Sequence, residues 1–231
     1  MSKDKLINWY DKIKGHTKTK QEHKNFKRHY IEPRSMISCI GGTGAGKTNA
    51  LINYLNRADE QFYKIIIFTA STTDEPLYNA LCESLPETEI YNDINDLPSL
   101  NDYPDEENDQ DKLIVFDDFI NLKSKEMKKI QEYATAGRKK GFTCFFLAQN
   151  YVQIPKNISR NTHYFIIFKL NDNTSINNII KNHNIEDVEK DIIKQAYDYS
   201  TNCKGDFFMI DLKGDGIKRY RHNFLNFLRL K

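Results

Sequence analysis

From residue 35 onward, short apolar runs alternate with stretches whose apolar positions recur at helical spacing. The runs at 35–40, 63–69, 113–116, 143–148 and 163–170, with a shorter one at 89–91, read as strands. The stretches at 47–57, 76–84 and 124–136 read as helices. Strands interleaved with helices predict an α/β fold, a mainly parallel sheet flanked by helices, whose ligand chemistry gathers at the carboxyl ends of the strands. Residues 173–202 read as one or two polar-faced helices, and 206–212 with 217–222, joined through Gly214-Asp215-Gly216, predict a C-terminal β-hairpin. The first 30 or so residues are polar and Lys-rich, with Trp9, Tyr10 and Phe26 among them, and suggest a short helix and an arm. The expected organisation is therefore a basic arm over residues 1–33 and one domain over 34–231, with no internal repeat.

A length of 231 residues suits one α/β domain with a substantial core. The formal net charge of +2 decides nothing, but its distribution does change the picture. Residues 1–34 carry ten Lys/Arg against four Asp/Glu, residues 101–111 carry six acids and no base, and residues 213–231 carry six bases and one acid. Basic ends suit contact with phosphate backbones and solvated faces equally. The four cysteines, Cys39, Cys82, Cys144 and Cys203, form no C-x-x-C pair and read as reduced, buried thiols of a cytosolic protein. His16, His23 and His29 are spread as surface residues rather than as a metal set. The first residues lack an apolar signal core and no apolar run reaches the roughly 20 residues of a membrane span, so a soluble, intracellular protein is expected.

The sharpest chemical signal is Gly41-Gly42-Thr43-Gly44-Ala45-Gly46-Lys47-Thr48, a G-x-x-x-x-G-K-[ST] phosphate loop set between a strand and a helix. Four of the chain's 10 glycines fall here, because residues without a Cβ let successive N–H groups curl around a phosphate. Lys47 is expected to reach the β- and γ-phosphates and Thr48 to ligate Mg²⁺, with Asn49 in the first helical turn adding to the cradle. Downstream, Leu113-Ile114-Val115-Phe116-Asp117-Asp118 is an apolar strand ending in two carboxylates, the form of a Walker B element. Asp117 is the candidate metal ligand and Asp118 the candidate base for the attacking water. Because this second half lies beyond it, the acidic stretch 101–111 reads as a surface loop rather than a linker. Gly137-Arg138-Lys139-Lys140-Gly141 ends a helix, where Arg138 either projects to a neighbouring subunit's γ-phosphate or completes a helix terminus. Gln149, ending the next strand, either orients water or is a polar strand end.

Four blocks in order, GGTGAGKT, LIVFDDF, GRKKGFTCFFLAQNY and IPKNISRNTHYFIIFK, resemble the FtsK–HerA superfamily of ring-forming DNA-pumping ATPases, and within it the genome-packaging ATPases of large DNA viruses and virophages. The resemblance covers about residues 34–170. It implies a P-loop NTPase fold of the RecA/ASCE type and ATP hydrolysis with Mg²⁺. It also implies action on double-stranded DNA without sequence preference by a homo-oligomeric ring, a pentamer or hexamer. A capsid or portal protein is the implied further partner, and host cytoplasm or virion the implied location. Arg138 then falls on the family's arginine finger, Gln149 on its strand-ending glutamine, and Arg160 on a second arginine of the viral members.

Other classes fit the residues less well. A switch GTPase would place D-x-x-G where Asp117-Asp118-Phe119-Ile120 stands, and a small-molecule kinase would need an Arg-rich lid. A nucleotide-retaining scaffold would not need Lys47, Thr48, Asp117 and Asp118 together. A helicase or conjugation-type pump of the same superfamily remains the alternative to packaging.

Overall fold

The computed structural model describes residues 23–71, 75–85, 87–171, 174–214 and 216–230. The expected N-terminal helix, most of the arm and Asp215 of the hairpin turn lie outside the described residues. Among the described residues, nine strands form one sheet in the order β3-β2-β4-β5-β1-β6-β7-β8-β9. They are β1 (Met36–Ile40), β2 (Lys64–Thr69), β3 (Thr88–Tyr91), β4 (Lys112–Asp117), β5 (Phe142–Ala148), β6 (Tyr164–Phe168), β7 (Phe207–Asp211), β8 (Tyr220–His222) and β9 (Asn226–Phe227). Every pairing from β3 across to β6 is parallel. Beyond β6 the sheet continues antiparallel through β7, β8 and β9, so the expected hairpin gains a third strand.

Among the described residues, six α-helices cover the two faces: α1 (Lys47–Arg57), α2 (Pro76–Ser84), α3 (Ser124–Ala136), α4 (Lys156–Asn161), α5 (Thr174–Asn182) and α6 (Lys190–Ser200). The pleat sends alternate residues of each strand to opposite cores. In β1, Ile37 and Cys39 join Leu51, Tyr54, Tyr78 and Leu81 from α1 and α2 in one core. Met36 and Ile40 join Ile130, Tyr133, Ile158, Ile176 and Ile193 from α3 to α6 in the other. Burial of both faces explains why the central strands read as continuous apolar runs rather than as alternation.

The antiparallel extension is tied back to the start of the domain by one buried cation. Arg221 of β8, 1% exposed, donates to Asp211 Oδ2 at 2.7 Å and to the carbonyls of His29 and Tyr30 at 3.1 and 3.2 Å. His29, expected at the surface, is instead fully buried with its ring edge-on to Tyr54, and its Nδ1 accepts from the Ile31 amide at 3.0 Å. Burial first, then the charges of His23, Arg221 and Arg28, push the imidazole down to about 4. A depressed histidine stabilises the fold above its unfolded value near 6.5, and that contribution is lost as pH falls toward 4, since only the unfolded chain takes the proton. Between pH 7 and pH 5 the loss should approach roughly 2 kcal/mol. Denaturant unfolding at both pH values should show it, and His29→Gln should flatten the difference; equal slopes for the two proteins would exclude His29 as its source.

Candidate functional site

The phosphate loop leaves the carboxyl end of β1, the strand between β5 and β6. Gly44 and Gly46 adopt φ of 73° and 109°, and Gly46 caps α1 in the left-handed region. Gly41 is required for a different reason: a Cβ there would stand 2.8 Å from the Phe168 Cβ. Its amide donates to the Ala148 carbonyl at 3.1 Å, fixing the loop's root against β5. Lys47 folds over the loop and donates from Nζ to the Gly41 and Gly42 carbonyls at 2.8 and 3.1 Å. Thr43, Gly44 and Asn49 are exposed, whereas Gly42, Ala45, Gly46, Lys47 and Thr48 are half-buried. The residues expected to cradle phosphate therefore form one continuous turn opening at the helix N-terminus, where N–H groups and the helix dipole favour an anion.

Asp117 ends β4, one strand beyond β5, on the same edge of the sheet. Its Oδ1 accepts from the Asp118 amide at 3.0 Å and its Oδ2 from the Tyr78 hydroxyl at 2.7 Å. Burial raises its carboxyl above the usual carboxylate range and the neighbouring Asp118 adds to this, while the Tyr78 hydrogen bond and the Lys47 charge oppose it. Asp118 follows with φ 50°, a left-handed conformation that turns the chain at the strand end and leaves its side chain exposed. Gln149, directly after β5, is likewise exposed on this edge, and its amide donates to Gln153 Oε1 at 3.2 Å. Lys47, Thr48, Asp117, Asp118 and Gln149 are thus gathered at the carboxyl edge of neighbouring strands.

Tyr78 escaped the sequence reading. It lies on α2, is 2% exposed, and its hydroxyl donates to Asp117, so a buried side chain from a distant helix holds a candidate metal ligand in place. Its only sequence signal is an aromatic residue on an apolar helix face, which packing alone would explain. Thr48 and Asp117 offer hard oxygens, a set that fits Mg²⁺, which keeps several waters and takes phosphate oxygens for its remaining ligands.

Arg138 does not join this group. It lies in the turn between α3 and β5, at the amino end of the strand whose carboxyl end carries Gln149. Seven residues of β5 separate the two positions, on the order of 20 Å at the rise of a strand. Arg138 is exposed and lines a cavity of about 290 Å³ with Arg34, Tyr133, Thr135, Asn161 and His163. Arg160 is exposed near the end of α4, which packs against α3 on this same edge. The turn holding Arg138 is rigidly placed. Gly141 has φ 86°, and a Cβ on it would clash with the Gln110 carbonyl. Lys140 pairs with Asp105 at 2.6 Å, Lys112 donates to the Glu107 carbonyl at 2.6 Å, and Arg34 pairs with Asp111 at 2.8 Å. The acidic stretch is thereby a partly neutralised buttress for the turn.

The family described as Poxvirus A32 protein matches residues 22–204. The chain belongs to that family. No curated protein matches it in sequence. Among solved structures it is similar to the genome packaging NTPase B204 from Sulfolobus turreted icosahedral virus 2 in complex with AMPPCP, at 13% identity and TM-score 0.57, covering 84% of this chain and 98% of that one. It is similar to B204, the DNA-packaging ATPase from Sulfolobus turreted icosahedral virus, at 14% identity and TM-score 0.55, with the same coverage. The cytoplasmic domain of the Thermomonospora curvata type VII secretion ATPase EccC matches at 11% identity and TM-score 0.56, over 79% of this chain but 25% of that longer one. At these identities the likeness is one of fold, and the fold is that of P-loop ATPases. This A32-family chain is a P-loop ATPase. No helix among the described residues is long and apolar enough to cross a membrane.

Proposed function

We propose that this A32-family ATPase moves double-stranded DNA during viral genome packaging, as a ring in which each nucleotide is completed by the neighbouring subunit. The observation that carries this reading is the separation of Arg138 from Lys47. The guanidinium stands at the opposite edge of the sheet from the phosphate loop of its own chain, so it cannot reach its own γ-phosphate. A second copy packed head to tail presents that amino edge to the first copy's carboxyl edge, a heterologous contact that closes into a ring when the rotation allows.

Within such a site each side chain has a distinct task. Lys47 leaves the Gly41 and Gly42 carbonyls for the β- and γ-phosphates. Thr48 and Asp117 hold Mg²⁺, whose charge offsets that of the phosphates. Asp118 takes the proton of the attacking water and Gln149 orients that water. Arg138 of the adjacent subunit balances the charge that develops on the transferring phosphoryl group. Dependence of hydrolysis on the subunit contact couples chemistry to relative subunit movement, and so to movement of a strand gripped in the ring. Both B204 relatives are described as genome- or DNA-packaging enzymes, which favours packaging over a helicase or conjugation-type pump.

The test is ATP turnover with and without linear double-stranded DNA of unrelated sequences. Several-fold stimulation is expected, equal among sequences and falling steeply as salt rises, since a pump grips successive phosphates rather than bases. A rate indifferent to DNA would overturn the translocase reading and return the chain to the kinase or scaffold classes.

A further inference from the structure

The phosphate loop accounts for the phosphates of ATP and leaves the base and ribose without a place. The strand order supplies a direction. Asp117 on β4 and Gln149 on β5 stand to one side of β1, while β6 and β7 stand to the other. A nucleotide whose γ-phosphate faces the carboxylates sends its α-phosphate, and the nucleoside beyond it, toward β6 and β7. On that side a cleft of about 290 Å³ opens directly against the loop. Ala45 of the loop forms one wall, Phe168 and Lys169 at the end of β6 another, and residues 201–206 between α6 and β7 the third.

We propose that this cleft is the base and ribose subsite of the nucleotide, an inference that rests on the chain binding ATP. Its size sits at the lower end of the roughly 300–1,000 Å³ range of small-molecule sites, which suits a nucleoside whose phosphates lie elsewhere. Its chemistry suits one too. Phe168 offers the edge of a buried ring, with Cε1 3.4 Å from the position a Cβ on Gly46 would take. Gly205, at φ 91°, brings its Cα to 3.7 Å from that same position, so the two glycines let the wall approach the loop closely. The exposed Asn202 amide presents both donor and acceptor, the pair needed to read a base edge. The wall is held in shape by the Asp206 amide donating to the Cys203 carbonyl at 3.2 Å and by Asn223 Nδ2 donating to Asp206 Oδ1 at 2.8 Å. Lys169 is engaged by Asp198 at 2.8 Å, while Ala45 and Phe168 supply apolar wall.

The cleft carries its own reporter. Burial expected of all four cysteines holds for Cys39 and Cys144 alone: Cys82 is half-buried, and Cys203, in the turn between α6 and β7 rather than in a strand, is exposed on the cleft's rim. The experiment is maleimide labelling of the full chain, with Cys203 followed at the peptide level by mass spectrometry, in the presence of ADP, ATP with Mg²⁺, or inorganic tripolyphosphate. All three are first shown to displace a fluorescent ATP analogue. ADP and ATP should slow labelling of Cys203 by about tenfold or more at saturation, and tripolyphosphate should leave the rate unchanged. Cys203→Trp, filling the cleft from an exposed position, should weaken ADP by about tenfold while tripolyphosphate competes as before. Equal protection by tripolyphosphate, or ADP that binds without protecting Cys203 and is indifferent to Cys203→Trp, would overturn the subsite. Failure of ADP and ATP to bind at all would instead overturn the ATPase reading beneath it.

Discussion

Asp118→Asn protein is expected to bind ATP with Mg²⁺ at near wild-type affinity and to hydrolyse it about a hundredfold to ten-thousandfold more slowly, the usual worth of a positioned base. The substitution is a clean one. Position 118 has φ 50°, and asparagine is the residue other than glycine that accepts the left-handed region most readily. The Asp118 backbone amide keeps its bond to Asp117 Oδ1, so the neighbouring carboxylate stays where it is. Lys47→Ala should behave differently. Its ammonium spans the Gly41 and Gly42 carbonyls, and its loss removes both that brace and the charge meant for the phosphates. Binding should weaken and turnover collapse together. Equilibrium binding of a fluorescent ATP analogue and phosphate release measured on both proteins separate the two cases. An Asp118→Asn enzyme that releases phosphate at the wild-type rate would remove Asp118 from the role of base.

That such a prediction can be framed at residue level reflects how much of the site is local in sequence. The phosphate loop is eight consecutive residues whose glycines are dictated by the turn they make. Asp117 and Asp118 are legible because they end an unbroken apolar run, the mark of a strand buried on both faces. The same logic placed α3 at residues 124–136 as the structure has it, since Ile130, Tyr133 and Ala134 repeat at helical spacing toward one core. Contacts that depend on distant segments meeting were not legible. Tyr78 reaches Asp117 across 39 positions, and nothing in its surroundings separates it from an ordinary core tyrosine. The loop 201–206 meets the phosphate loop only because β7 adds antiparallel to β6, which places it beside Phe168 and Gly46. Short elements were missed for want of a period: α4 has six residues with Ile158 and Ser159 buried, and β9 has two residues. The acidic stretch reads as a surface loop from its composition, but its engagement by Arg34, Lys112 and Lys140 follows only from the fold, which brings the chain entering β1, β4 and the turn before β5 to it.

The arrangement of Arg138 leads to the other large effect. Neither Lys47→Ala nor Arg138→Ala protein should hydrolyse ATP alone, an arginine finger contributing about a thousandfold to a hundred-thousandfold. Mixing them should restore activity, because an Arg138→Ala subunit keeps its phosphate loop and a Lys47→Ala neighbour keeps its Arg138. In randomly mixed rings of equal amounts about a quarter of the interfaces join the two intact halves, which sets an upper bound of about a quarter of wild-type turnover. The fold makes the outcome diagnostic. Gly141 and the Lys140–Asp105 pair hold the turn at the amino edge, so a guanidinium there has no route to the Lys47 of its own chain. Recovery can then come only from a neighbour, and it should rise and fall with the fraction of mixed rings, followed by two different affinity tags. If mixed rings form and stay inactive, Arg138 does not act across the interface; the same complementation with Arg160→Ala, whose side chain is exposed on the same edge, then decides whether the second arginine takes that place.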